Sequence, residues 1–121
     1  MEQILEITNP MLLSVGIIFM VCELIMYLFP PKRINSLYGY RTAASMESQA
    51  KWDFAQKYGA KVMMCIGFIF VIISYTKYYF NTNENTDLAV GMFVMIIGSF
   101  AMIPIVDKKL EKPALISFQF N

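Results

Sequence analysis

Histidine is absent from all 121 residues. Its loss removes the side chain most often used as a general base near neutral pH and the most frequent transition-metal ligand. The sequence therefore starts from a non-enzymatic reading, with no catalytic residue, no metal and no cofactor. Charge is also scarce: 16% of residues are Asp, Glu, Lys or Arg, against roughly 25% in an ordinary soluble chain. A net charge of +1 leaves no electrostatic footprint for nucleic acid or for an acidic substrate. Only two cysteines occur, Cys22 and Cys65, in separate apolar runs and without a Cys-x-x-Cys spacing; both read as small buried hydrophobes. What is abundant is oil. Hydrophobic residues make up 57% of the chain, which points to lipid as its solvent.

The apolar residues gather into three runs. Residues 11–29 carry one charge, Glu23, and residues 88–106 carry none. At about 1.5 Å per residue, each covers a hydrocarbon layer about 30 Å thick. The middle run, uncharged over 62–76, becomes a full span over 58–80 if Lys61 and Lys77 snorkel toward the headgroups. Tyr75, Tyr78 and Tyr79 would then form an interfacial belt; the alternative is a buried helix of soluble type. The first run reads as a retained span and not as a cleaved leader. Glu2 and Glu6 precede it with no basic residue, it is too long, and no small-x-small site follows.

Of ten Lys and Arg residues, none precedes the first run, six lie in 30–61, one is Lys77, and three follow the last run: Lys108, Lys109 and Lys112. Nine cations thus share one side. The positive-inside rule places that side in the cytoplasm, the N-terminus outside and the C-terminus cytoplasmic. Residues 81–87, "NTNENTD", read as an external connector. The expected fold is all-α: three transmembrane helices plus one cytosolic or interfacial helix between the first and second, in one membrane domain over 1–121.

Residues 30–61 hold the polar chemistry. Pro30 and Pro31 stop the first helix, Lys32 and Arg33 fix it at the headgroups, and Asn35, Ser36 and Gly39 are turn formers. A helix is expected from Ser45 as its cap, supported by Glu47–Lys51 and Asp53–Lys57 pairs, running into the second span near Lys61 with Gly59 as a hinge. Trp52, Tyr38, Tyr40 and Tyr58 have two readings: headgroup anchors, or a rigid cap in which Trp52 packs against the Tyr38–Arg41 turn and offers a surface to a partner.

Asn35, the Tyr38-Gly39-Tyr40-Arg41-Thr42 turn, Ser45 and Trp52, in this order and spacing, resemble the signature of the SdpI family of small bacterial integral membrane proteins. A longer member of that family protects its cell from a toxin and holds a transcriptional repressor at the membrane. The resemblance implies an immunity or signalling module whose cytosolic loop binds a protein partner, whether toxin, repressor or larger membrane complex, and it implies no catalytic residue. From a different class, the chain could be an accessory subunit of a larger bacterial membrane complex. Membrane lipid is the other expected partner, and the sequence identifies no small-molecule substrate.

Glu23 lies within the first apolar run, where a carboxylate calls for a partner or for protonation. Arg41 is favoured as that partner because a guanidinium can grip a carboxylate with two bonds; Ser99 and Lys61 are the other candidates. A proton or cation site in a small carrier is a further alternative for Glu23. Gly16 and Glu23, and likewise Gly91 and Gly98, are one heptad apart and mark helix-facing sides, with Gly67 doing the same on the second span. Pro104 is expected to bend the third span or mark its exit.

Overall fold

The computed structural model of the protein describes residues 1–111, so Lys112 and the end of the expected 1–121 domain lie outside the described residues. The described residues form five helices and no strand: α1 (Glu2–Ile7), α2 (Pro10–Leu28), α3 (Gln49–Ser74), α4 (Thr76–Phe80) and α5 (Glu84–Leu110). Three stretches, Pro10–Leu28, Gln49–Phe80 and Glu84–Leu110, are long and apolar enough to cross a membrane. The all-α, three-span architecture expected from the sequence is the one observed.

Each long helix starts on a capping side chain. Asn9 accepts from the amides of Met11 (3.1 Å) and Leu12 (3.3 Å) at the head of α2, with Pro10 in the first turn, where its missing N–H costs nothing. Ser48 accepts from the Lys51 amide at 3.1 Å to open α3, and Asn83 accepts from Thr86 at 2.9 Å to open α5. The expected cap at Ser45 is therefore corrected. The Ser45 hydroxyl already accepts from the Thr42 amide at 2.9 Å, which leaves Ser48 as the free cap.

The helix foreseen ahead of the second span is the first part of α3 itself, continuous from Gln49 to Ser74 and about 39 Å long at 1.5 Å per residue. That exceeds a hydrocarbon layer about 30 Å thick, and the charged residues of α3, Lys51, Asp53, Lys57 and Lys61, all lie in its first half. Gly59 is not a hinge: α3 passes through it unbroken, and a Cβ there would meet the Met102 methyl of α5 at 3.0 Å. Nor does Pro104 end the third span. α5 runs on to Leu110, because Val106 and Leu110 are buried with Phe54 and Ala55 of α3.

α3 is the middle helix, packed on α2 along one side and on α5 along the other. Gly16 and Gly67 set the α2–α3 crossing: a Cβ on Gly16 would sit 2.6 Å from the Gly67 carbonyl, and one on Gly67 would sit 2.8 Å from the Gly16 carbonyl. Small residues permit that approach of backbone to backbone. Gly98 of α5 lies against the Phe70 ring, and Phe70 meets Phe19 with centroids 5.8 Å apart. The outward faces carry Ile17, Ile25, Phe68, Ile72, Phe93 and Phe100, all exposed as suits side chains that meet lipid. Cys22 and Cys65 are on that outer surface too, correcting the expectation of burial. Three helices enclose too little volume to bury every small apolar side chain.

The end of the bundle away from the 29–48 loop is closed by polar groups. The Asn9 amide donates to the Ser74 carbonyl (2.7 Å) and the Asn9 side chain to the Asp87 carbonyl (2.7 Å), joining α2, α3 and α5. The buried Asp87 carboxylate pairs with Lys77 at 2.9 Å and accepts from the Thr82 hydroxyl. Residues 81–87 are thus more than a connector.

Candidate functional site

The loop between α2 and α3 is built from its own polar residues outward. Asn35 opens it: its side-chain oxygen accepts from the amides of Leu37 and Tyr38, both at 2.9 Å, and its amide nitrogen donates to the Arg33 carbonyl at 2.9 Å. This is an Asx-type turn, the local competition with helix that keeps the segment compact. Gly39 follows at φ +106°, and a Cβ there would stand 2.6 Å from the Gln56 side-chain oxygen. The position needs glycine twice over, for its dihedral and for its space.

Gln56 of α3, itself buried, clamps the next residue from both sides. The Tyr40 amide donates to Gln56 Oε1 at 2.7 Å, and Gln56 Nε2 donates to the Tyr40 carbonyl at 2.8 Å. The Tyr40 phenol then reaches α5 and donates to Asp107 Oδ1 at 2.7 Å; the same oxygen accepts from the Thr42 hydroxyl at 2.8 Å. Burial, and Asp107 beside it, push the Tyr40 phenol above its ordinary range, so it stays a donor at any physiological pH. Thr42 and Ser45 close a reciprocal turn: the Ser45 amide donates to the Thr42 hydroxyl at 3.2 Å, while the Thr42 amide donates to the Ser45 hydroxyl.

Trp52 fixes the other end of the loop. It is 0% exposed, and its indole N–H donates to the Pro31 carbonyl at 2.8 Å. It is a core residue and not a headgroup anchor, and its polar bond goes to the Pro30–Pro31 corner. The hydrogen bonds that hold the Tyr38–Arg41 turn to α3 come from Gln56. Gln49 adds a bond to the Lys32 carbonyl (2.6 Å) and one to Asp53 (2.8 Å). Of the two helix-face ion pairs expected, Glu47–Lys51 is present, while Asp53 is engaged by Gln49 and makes no salt bridge among the described residues.

The signature residues therefore divide. Asn35, Gly39, Tyr40, Thr42, Ser45 and Trp52 hold the loop together and to the helices. Tyr38 and Arg41 face outward with Leu37, which is 84% exposed. Arg41 closes on the Ser36 carbonyl of its own loop and not on Glu23. Among the described residues no hydrogen bond or ion pair engages the Glu23 carboxylate, so the expected Arg41, Ser99 and Lys61 contacts are all corrected. Lys61 lies over the Tyr27 ring at 5.5 Å. Glu23 and Arg41 do share a half-open cavity of about 480 Å³ beneath the loop, between α2, α3 and α5.

Gln56 and Asp107 were not foreseen. Gln56 carries no signal, being one polar residue on a mixed helix face. Asp107 does carry one: an acid near the C-terminal end of a helix opposes the dipole, a local rule broken for a tertiary reason.

A sequence model of the SdpI/YfhL protein family matches residues 32–106, well over half of the chain. The chain belongs to that family. The matched stretch begins in the loop and ends one residue short of Asp107, so it takes in all eight signature residues and most of all that holds them. A relative in Bacillus subtilis (strain 168), carrying the name "Uncharacterized protein YfhL", is 43% identical over 54 residues, which is 45% of this chain and 49% of the relative. The match thus spans about half the length of that relative. No solved structure matches. SdpI/YfhL membership and three helices long and apolar enough to span a membrane are the features of a multi-pass membrane architecture.

Proposed function

We propose that the chain is an immunity or signalling module of the SdpI type in the bacterial cytoplasmic membrane, acting by binding and not by catalysis. Its N-terminus lies outside and its loop faces the cytoplasm, as the nine clustered cations indicate. The loop surface around Leu37, Tyr38 and Arg41 takes a protein partner. The supporting observation is that an exposed leucine, an exposed tyrosine and an arginine stand together on a turn whose neighbours are clamped by Gln56 and Asp107. Rigid display of such side chains lowers the ordering cost of association, and tyrosine and arginine are enriched in interface hot spots.

Leu37→Asp in the full chain tests this. Expression and membrane insertion should equal those of the parent, while protection against toxin in a challenged host, or capture of the partner by a photo-crosslinker beside Leu37, should drop by about tenfold or more. Retention of both phenotypes by an inserted Leu37→Asp protein would end the proposal. A second reading, an accessory subunit of a larger membrane complex, draws on the wide apolar faces of α2 and α5. It requires a stoichiometric membrane partner after mild-detergent purification.

A further inference from the structure

The cavity under the loop brings together two opposite charges that do not meet. Glu23 projects from α2 and is half-buried, with its carboxylate unengaged among the described residues. Arg41 lines the same space from the loop, and only one of its guanidinium nitrogens is committed, to the Ser36 carbonyl. The rest of the lining is largely apolar, with Met26, Met63, Met102 and Ile103 contributed by the three spans. At about 480 Å³ the space falls within the range of about 300–1,000 Å³ typical of small-ligand sites. An unpaired carboxylate within a span is costly and is retained where something meets it.

The geometry points to a binding site for the phosphoethanolamine headgroup of a membrane lipid. A guanidinium takes a phosphate in two parallel bonds, and a carboxylate takes a primary ammonium through its N–H donors. The headgroup is neutral overall and carries both charges on adjoining groups, as the cavity carries both countercharges on separate walls. Phosphatidylcholine offers the same phosphate but a quaternary nitrogen with no N–H to give Glu23. Phosphatidylglycerol offers the phosphate alone and leaves Glu23 unmet. The methionine-rich side accommodates the glycerol and the first acyl carbons, since methionine adapts to irregular apolar shapes. That side, and its position between spanning helices, favours the intact lipid over a soluble headgroup. The site shares Arg41 with the proposed partner surface, but it depends neither on the identity of that partner nor on the side of the membrane on which the loop lies.

The test uses the full chain in detergent micelles with lipids of matched acyl chains, counting bound lipid by native mass spectrometry. Phosphatidylethanolamine should be retained about tenfold or more over phosphatidylcholine, as befits one charge-assisted hydrogen-bonded contact. Mono- and dimethylated headgroups should fall between them in order. Glu23→Gln, nearly isosteric, should erase the discrimination while leaving total phospholipid binding in place; Arg41→Ala should lower retention of all four lipids. Glycerophosphoethanolamine at equal concentration should not displace the lipid. Equal retention of the ethanolamine and choline lipids by the parent protein overturns the site without recourse to any variant. Discrimination that survives in a folded Glu23→Gln protein overturns the role of Glu23, and displacement by glycerophosphoethanolamine overturns the lipid as occupant.

Discussion

Gln56 donates to and accepts from the same backbone residue, so one side-chain amide satisfies both polar groups of Tyr40 at a buried position. Replacing it with leucine keeps the volume and removes both bonds, leaving the Tyr40 amide without a partner and the Tyr40 carbonyl with only the Ser45 hydroxyl at 3.2 Å. An orphaned amide of this kind costs about 1–3 kcal/mol, so Gln56→Leu should destabilise the protein by about that much. Thermal unfolding in detergent measures this, and trypsin should cut after Arg41 faster than in the parent. Gln56→Glu keeps the acceptor for the Tyr40 amide and loses only the donor, and its loss should be the smaller. A residue of this kind is invisible in a single sequence, because a glutamine on a helix face is ordinarily solvated. The glycine, asparagine and tryptophan of the same loop were legible, each having a conformational or packing demand that few other residues meet.

Among the elements, the spans were readable because lipid leaves the backbone few choices: an apolar run of this length has to be helical. The start of α3 was less so. Ser45 and Ser48 are equally good caps on paper, and the contest is decided by Thr42, which holds Ser45 in a turn of its own. The α2–α3 crossing was indicated by Gly16 and Gly67, and its tightness makes it the most sensitive contact between spans. Gly67→Val places branched atoms against the Gly16 backbone, which cannot give way, and should cost about 1–3 kcal/mol in a melting experiment. Gly59→Ala meets the flexible end of Met102 at 3.0 Å and Tyr40 at an ordinary contact distance of 3.7 Å, and should be milder. The Glu23–Arg41 pairing failed as an expectation for a reason of the same kind. A local acceptor, the Ser36 carbonyl, competes for the guanidinium, and nothing in the spacing of residues 23 and 41 reveals it.

At the scale of the whole molecule, the two ends of the bundle are finished differently. One bears the loop, six cations within residues 30–61 and the Asp107 acceptor; the other is tied by Asn9 and by the Lys77–Asp87 pair. With Cys22 and Cys65 replaced by serine, a single cysteine at Asn85 should react with a membrane-impermeant maleimide on intact cells. One at Leu37 should react only after permeabilisation. The reverse pattern would invert the topology. Charge asymmetry is legible because it is a property of segments and survives ignorance of every contact.

Asp107, the residue on which Tyr40 and Thr42 converge, is encoded 67 positions after the phenol it receives. During synthesis the loop leaves the ribosome long before that carboxylate exists. Until the last span has been inserted and docked, the segment that displays Leu37 lacks one of its moorings. A half-built molecule therefore lacks a tie that the finished one has, and how firmly the loop is held depends on completion of the last span.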